Sequence, residues 1–443
     1  MAKVVKFGGS SLANAEQFQK VSMIIRSDPE RKYVVPSAPG KRFSGDTKVT
    51  DMLYACYALA EQGADFMPNL NAIAHRYQEI IDGLSLDCDL TQEFQVIAEQ
   101  FSNKAGSNYA ASRGEYLNAI IMAQYLGYTF IDAADVIFFT EQGQFDAQRT
   151  HEILSKRLTE CENAVIPGFY GSRVTAEQSY VVQTFSRGGS DITGSIVAKA
   201  VKADVYENWT DVNGFLLADP RIVQNPVGIE MITYRELREL SYMGAGVLHE
   251  DAIFPVRKED IPINIRNTNA PEQKGTWIVG STCQKSKYTI TGIAGKKGFC
   301  SITIEKDMMN SEIGFGRKVL QIFEENGISF EHMPSGIDTM TIFVDQDQFV
   351  EKEQKVVAAI HRMVDPDSID IEADLALIAV VGRGMKSARG TAARIFSALS
   401  LSHVNVKMID QGSSELNVII GVTNQDFENA IRAIYSIFVD PVQ

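Results

Sequence analysis

The sequence predicts an α/β protein in two parts, a larger part with a mostly parallel sheet and a smaller part made of paired supersecondary units. Three observations carry this. Over roughly the first 285 of 443 residues, short β-rich apolar runs alternate with amphipathic helical stretches, the pattern of a parallel sheet crossed by helices. The remainder repeats one pattern twice. Charge also shifts between the parts: residues 288–443 hold 14 Lys+Arg and 21 Asp+Glu, against 28 and 35 in residues 1–287. Both parts are net −7, so the shorter one is about twice as acidic per residue.

Val4–Phe7 reads as the first strand, and Phe18, Val21, Ile24 and Ile25 recur at helical spacing behind it. Tyr33–Pro36, Ala164–Pro167 and Val205–Trp209 are further buried strands, with helical patterns at Arg149–Cys161 and Ile192–Val201. Residues 261–280 read as a strand, a loop marked by Pro and Gly, and a closing strand. In the second part a shift of 76 residues superposes two copies without a gap. Ile302 falls on Ile378, Met309 on Met385, Gly314 on Gly390, Val319 on Ile395, Gly336 on Gly412 and Ile342 on Val418. Each copy reads strand, glycine loop, helix, strand, strand, helix. Two copies mean paired units rather than a solenoid, which needs three or more. Tyr288–Ala294 reads as an extra strand ahead of the first copy.

The composition excludes several classes. A net charge of −14 removes general nucleic-acid binding, which needs a basic face. Five scattered cysteines (Cys56, Cys88, Cys161, Cys283, Cys300), with no CxxC pair, indicate neither a disulfide framework nor a zinc site. No apolar run approaches a membrane span, and the opening MAKVVKFGGSS is not that of a signal peptide. A cytoplasmic protein is the expectation.

Four motifs carry chemistry. Lys6-Phe7-Gly8-Gly9-Ser10-Ser11 joins a strand to a helix through two glycines, whose amides can converge on phosphate oxygens beside the Lys6 charge. It is neither a Walker A loop nor a GxGxxG fingerprint, and read alone it is also a plain tight turn. Ser112-Arg113-Gly114-Glu115 places an acid as if opening a helix, either to favour the dipole or to receive an ammonium group. Phe185-Ser186-Arg187-Gly188-Gly189-Ser190-Asp191 suits bidentate capture of a carboxylate or phosphate, or a glycine turn with Asp191 as cap. Trp209-Thr210-Asp211-Val212-Asn213-Gly214, followed by Asp219-Pro220-Arg221, ends a strand where open α/β sheets bind ligands, or forms a capped turn.

In this order and spacing the motifs, with Gly244-Ala245-Gly246-Val247-Leu248-His249 and Ile265-Arg266-Asn267-Thr268, resemble the aspartokinase branch of the amino-acid kinase family. The tail, including Gln411–Asn417, resembles tandem ACT domains, and the chain looks like the monofunctional form. The resemblance implies an amino-acid kinase fold (a mostly parallel sheet with helices on both faces) plus two ferredoxin-like ACT domains. It implies a catalytic domain at residues 1–285, a first ACT domain at 302–374, and a second formed by 286–301 with 375–443.

The implied reaction moves the γ-phosphoryl of MgATP to the side-chain carboxylate of L-aspartate, the first step toward lysine, threonine and methionine. Such a nucleophile is already ionised at neutral pH, so the demand is for cations and amides rather than a base, and none of the six histidines lies in the four motifs. By resemblance Lys6 and Asp191 are catalytic, and Lys6, Gly8, Gly9, Ser10, Thr210, Asp211 and Arg221 bind ATP. Ser37, Thr50, Glu115, Phe169, Arg187 and Ser190 bind aspartate, with Arg187 on its α-carboxylate and Glu115 on its ammonium. No protein metal ligand is implied, since Mg2+ rides on the phosphates. Met309, Ser329, Phe330, Glu331, Ser335 and Gly336 are effector positions, for lysine alone or with threonine, in a homodimer or dimer of dimers. Met309 and Phe330 also read as plain core residues.

Three positions depart from the family pattern. Many members carry Lys and Pro where this chain has Gly246 and Glu250, and a nucleotide-loop tyrosine is Leu216 here. The rivals are another amino-acid kinase, acting on glutamate, acetylglutamate or UMP, and a catalytically silent amino-acid sensor.

Overall fold

The computed structural model describes residues 1–175, 180–186, 188–246, 248, 253–282 and 287–439. The chain forms two compact units. The first takes Met1–Phe215, Gly228–Tyr234 and Gly246–Thr282, and the second takes Leu216–Val227, Arg235–Ala245 and Cys283–Gln443.

The first unit runs β1 (Lys3–Phe7), α1 (Ala15–Arg26), β2 (Arg31–Pro36), α2 (Val49–Glu61), α3 (Met67–Gly83), α4 (Thr91–Ser102), α5 (Ser107–Leu126) and β3 (Thr129–Phe130). It continues with α6 (Ala133–Val136), β4 (Phe138–Phe139), α7 (Ala147–Thr159), β5 (Ala164–Val165), β6 (Tyr170–Val174), β7 (Tyr180–Thr184), α8 (Gly189–Ala200) and β8 (Val205–Thr210). Then come β9 (Met231–Thr233), α9 (Tyr234–Tyr242, all but its first residue grouped with the second unit), α10 (Phe254–Arg257), β10 (Ile263–Asn267) and β11 (Thr276–Val279). Eight strands form one sheet in the order β3-β5-β2-β1-β8-β10-β11-β9, and only the β10–β11 pairing is antiparallel. A small sheet β4-β6-β7 stands apart.

Alternation along β1 sends Val5 and Phe7 to one face and Lys6 to the other. On the first face Phe18, Leu53, Tyr77, Phe101 and Leu117, from α1 to α5, close over Val5, Phe7 and Trp209. On the second face α8 crosses β1, β2 and β8. The helical spacing read for α1 holds: Phe18, Val21, Ile24 and Ile25 are buried, and Asn14 caps the helix by accepting from the Gln17 N–H at 3.0 Å. α5 differs. Residues around its whole circumference are buried, so it has no apolar stripe to read. Glu115 therefore sits in the interior of a 20-residue helix and does not open one, which corrects the placement expected from the sequence.

The second unit runs β12 (Gly292–Glu305), α11 (Phe315–Glu325), β13 (Phe330–His332), β14 (Thr339–Asp345), α12 (Gln346–Val350), α13 (Glu353–Val364), β15 (Ser368–Val381), α14 (Thr391–Leu401), β16 (Met408–Asp410), β17 (Asn417–Thr423) and α15 (Phe427–Val439). One antiparallel sheet, β13-β14-β12-β15-β17-β16, serves both repeats. The strand expected over Tyr288–Ala294 is not separate. Only its last three residues, 292–294, are in a strand; they open β12, which continues through Gly298 (φ +91°) and a register irregularity into the first repeat, while residues 288–291 precede it. The repeat is realised element by element except for α12, which has no counterpart in the second copy. Met309 and Met385 sit buried in matching 3-10 turns, and Gly314 and Gly390 precede α11 and α14 at φ +84° and +81°, a left-handed conformation that favours glycine.

Residues 216–227 and 235–245 join this unit through specific bonds. The Val227 N–H donates to Tyr435 Oη at 3.0 Å. Glu236, fully buried, accepts from Thr291 Oγ1 at 2.6 Å, from the Arg383 backbone N–H at 2.8 Å and from its guanidinium at 2.9 Å. A carboxylate so placed must be both paired and hydrogen-bonded, and it is. His332 on β13 and Asp410 on β16 meet at 2.8 Å, drawing the two edge strands of the sheet together.

Candidate active site

The sequence places two glycines and a hydroxyl directly after β1, and the register of the sheet decides what they face. Lys6 pairs with Val35 of β2 and Asn208 of β8, so the carboxyl ends of three parallel strands converge around it. The backbones on either side interlock: Gly8 N–H donates to the Trp209 carbonyl at 3.0 Å, and Gly40 N–H to the Gly9 carbonyl at 2.7 Å. A Cβ on Gly9 would lie 2.8 Å from the Ala38 carbonyl oxygen, so only glycine fits this approach.

Lys6 is 8 % exposed and its Nζ lies 2.6 Å from Asp191 Oδ1, in the first turn of α8. Asn208 donates through Nδ2 to the same oxygen at 2.8 Å. Ser190 is buried beside Asp191 and backs onto Gly168, while Gly189 backs onto Phe169. Phe169 holds φ +81°, a strained conformation for a bulky residue, kept by hydrogen bonds from its N–H to Thr193 Oγ1 (3.1 Å) and from the Phe185 N–H to its carbonyl (2.9 Å).

Glu115 reaches the same region from α5. It is 6 % exposed, and its Oε2 has no hydrogen-bond partner among the described residues. Burial pushes its carboxyl up to about 8, against the opposing pull of the Ala38 N–H, its own backbone, Arg113 and Lys6. Gly114, beside it, packs against Ala38 and Thr50, and Asn118, one turn on, donates to the Ser37 carbonyl at 2.6 Å. The structure thus gathers Lys6, Gly8, Gly9, Ser37, Thr50 and Glu115 around the ends of β1 and β2. Phe169, Ser190 and Asp191 join them across the Lys6 ion pair. Ser10 lies half-buried in the 3-10 turn Gly9–Leu12. Thr210, half-buried, and Asp211, exposed, follow β8 and meet at 3.2 Å through Thr210 Oγ1 and Asp211 Oδ1. Arg221 belongs to the second unit, where it is exposed and grips Asp219 at 2.6 to 3.1 Å. Arg187, Val247, His249 and Glu250 lie outside the described residues, and Gly246 is exposed. Of the effector positions, Met309 is buried in the apolar core of the first repeat. Ser329, Phe330, Ser335 and Gly336 are exposed on and beside β13, and Glu331 accepts from Tyr242 Oη at 2.6 Å.

Sequence reasoning missed three side chains that hold this arrangement: Asn208, Asn118 and Arg76. Arg76, 4 % exposed on α3, donates to the carbonyls of Gly40 and Thr47 and lies 3.3 Å from Asp46. The Arg42 guanidinium, and Arg76 behind it, hold the Asp46 carboxyl well below the usual range. Arg76 is a charged residue on the apolar side of α3, beside Ile73, Tyr77 and Ile80, and that was the one signal the sequence offered.

Among the described residues no three His, Cys, Asp or Glu side chains cluster as a metal cage, and no helix is long and apolar enough to cross a membrane. The arrangement is one that can bind an anion: a lysine, glycine amides and a helix start at the ends of parallel strands, with a buried carboxyl opposite.

Residues 1–267 match the family model of the amino acid kinase family, and residues 378–438 match that of the ACT domain. Aspartokinase 3 of Bacillus subtilis is 42% identical over 98% of both chains. The crystal structure of Clostridium acetobutylicum aspartate kinase, described as an allosteric enzyme, is 53% identical and superposes with a TM-score of 0.92, covering 98% of this chain and all of that one. E. coli aspartokinase III in complex with aspartate and ADP shares the fold at 24% identity and a TM-score of 0.73, over 98% of this chain and 99% of that one. The chain belongs to the amino acid kinase family, and within it to the aspartokinases.

Proposed function

We propose that the cluster around Lys6 carries out the aspartate kinase reaction, transfer of the γ-phosphoryl of MgATP to the side-chain carboxylate of L-aspartate. The observation that carries this is the pairing of the ion pair between buried Lys6 and half-buried Asp191, at 2.6 Å, with a buried Glu115 whose Oε2 is unsatisfied. Gly8, Gly9 and Ser10 present amides to the β- and γ-phosphates. Lys6 follows the charge that develops on the transferring group, and Asp191 orients Lys6. Magnesium, carried on the phosphates, neutralises their charge. Glu115 takes the ammonium of aspartate, Arg187 its α-carboxylate, and Ser37, Thr50, Phe169 and Ser190 line the pocket. Thr210, Asp211 and Arg221 serve the nucleotide.

The catalytic domain is residues 1–285, and two interleaved ACT domains, 302–374 and 286–301 with 375–443, bind lysine, alone or with threonine, at the edge carrying Ser329, Phe330, Glu331, Ser335 and Gly336. In that reading Met309 contributes from the core beneath. The enzyme works in the cytoplasm as a homodimer or dimer of dimers. A coupled assay of ATP-dependent acyl-phosphate formation over a panel of carboxylates tests the substrate. Turnover with aspartate, and little with glutamate or acetylglutamate, is the expected result. No turnover with any of them would leave the silent sensor instead.

A further inference from the structure

We infer that Asn208 is a positioning residue for phosphoryl transfer: it anchors Asp191 independently of Lys6, so the carboxylate stays in place when the lysine moves onto the transferring group. The inference rests on the assignment of Lys6 and Asp191 made above.

The parallel register Lys6↔Asn208 puts the two side chains next to each other on the α8 face of the sheet. Asn208 is 3 % exposed, a depth at which an amide must satisfy its own polar atoms. It does so with these two partners. Nδ2 donates to Asp191 Oδ1 at 2.8 Å, and Oδ1 accepts from Lys6 Nζ at 3.5 Å. The opposite amide orientation would set oxygen against carboxylate and NH2 against ammonium, so the charges on either side select this one.

Asp191 Oδ1 thus receives two donors, and they differ in what each can do. Lys6 is on a flexible stem, and its 3.5 Å bond to Asn208 is slack. Asn208 has a short stem fixed in the middle of a sheet, and its bond to Asp191 is short. As Lys6 Nζ follows negative charge onto the phosphoryl oxygens, Asp191 would otherwise lose its only strong partner in a buried site. The Asn208 N–H remains and keeps the carboxylate aimed, so Lys6 is held against one fixed group throughout. Tyr206, two residues earlier on the same strand face, braces the same turn by donating from Oη to the Asp191 carbonyl at 3.1 Å. Among the described residues, the other charged groups near by are paired elsewhere. Arg31 and Arg266 gather on Glu207, which points to the opposite face of β8, and Lys199, farther along α8, pairs with Glu259. Among the described residues, Lys6, Asp191, Glu115 and the Tyr206 hydroxyl are the titratable groups that face Asn208 or its partners.

The test uses the full chain with three substitutions: Asn208→Leu, Asn208→Asp and, as control, Lys6→Ala. Asn208→Leu removes the donor at similar volume. Its kcat should fall about ten- to hundredfold while both KM values stay within about threefold of native. Asn208→Asp adds a second carboxyl beside Asp191, and such a pair shares one proton at a raised pKa. Protonated, the introduced group donates as the amide does; ionised, it repels Asp191 and competes for Lys6. The ratio of its kcat to native kcat should therefore rise about tenfold as pH is lowered from about 9 to about 6. A residue that only packs would lower the melting temperature and leave that ratio flat. Asn208→Leu turnover within about twofold of native, or a flat ratio, overturns the inference. If Asn208→Leu does not fold, the Asn208→Asp ratio decides by itself. Near-native turnover of Lys6→Ala would sink the assignment of Lys6 instead, whereas an inactive Lys6→Ala beside an active Asn208→Leu sinks only the role of Asn208.

Discussion

Burial disfavours the charged form of Glu115 until a cation reaches it. Its ordinary value of 4.5 is pushed up to about 8 in the folded chain, chiefly by burial. Between those values the folded chain keeps a proton that the unfolded chain has lost, so this group's contribution to stability falls as pH rises through the interval. Glu115→Gln should therefore raise Tm at pH 8 by roughly 2–5 °C and lessen its pH dependence, as scanning calorimetry would show. The same change should raise the aspartate KM about tenfold or more, because the amide cannot take up an ammonium as a charge. A variant with native KM would mean that the ammonium binds elsewhere. The motif around Glu115 was legible. Its position inside a helix buried on every side was not, since α5 lacks the periodicity from which helices are read.

At the level of elements, the loop after β2 depends on α3. Arg76 holds the carbonyls of Gly40 and Thr47, and Gly40 in turn packs on Gly9. Arg76→Met should cost about 2–4 kcal/mol in urea unfolding, since it strips two carbonyls and part of the Asp46 pairing of their donor. It should also raise the ATP KM by loosening the Gly8–Gly9 turn. A variant with native stability would show that Arg42 alone secures the loop. Strands β1, β2, β5, β8, β10 and β11 lie where the apolar runs placed them, because a buried parallel strand writes a near-continuous signal. The strand read at Tyr288–Ala294 and the first strand of the repeat are one in the structure, because β12 runs unbroken from Gly292 to Glu305 and absorbs Gly298 as a register irregularity.

Across the whole molecule, the regulatory reading predicts that lysine, alone or with threonine, changes both Tm and kcat at millimolar concentration, since a ligand shifts an equilibrium only by its differential affinity. No change in either quantity would remove these two amino acids as effectors. The net charge of −14 sets no limit on the proposed site, because Lys6 and the glycine amides act locally. Charge, glycine spacing and apolar periodicity are properties of neighbouring residues. The sequence by itself therefore determined the α/β class, the tandem repeat and the motif residues, together with the family they resemble. Which side chains meet was decided by folding. Lys6 and Asn208 are 202 residues apart and become neighbours through sheet register, and Arg76 finds its carbonyls only when α3 packs over the loop. Burial also decided the chemistry of Glu115, because desolvation depends on what surrounds a carboxyl rather than on what precedes it in the chain.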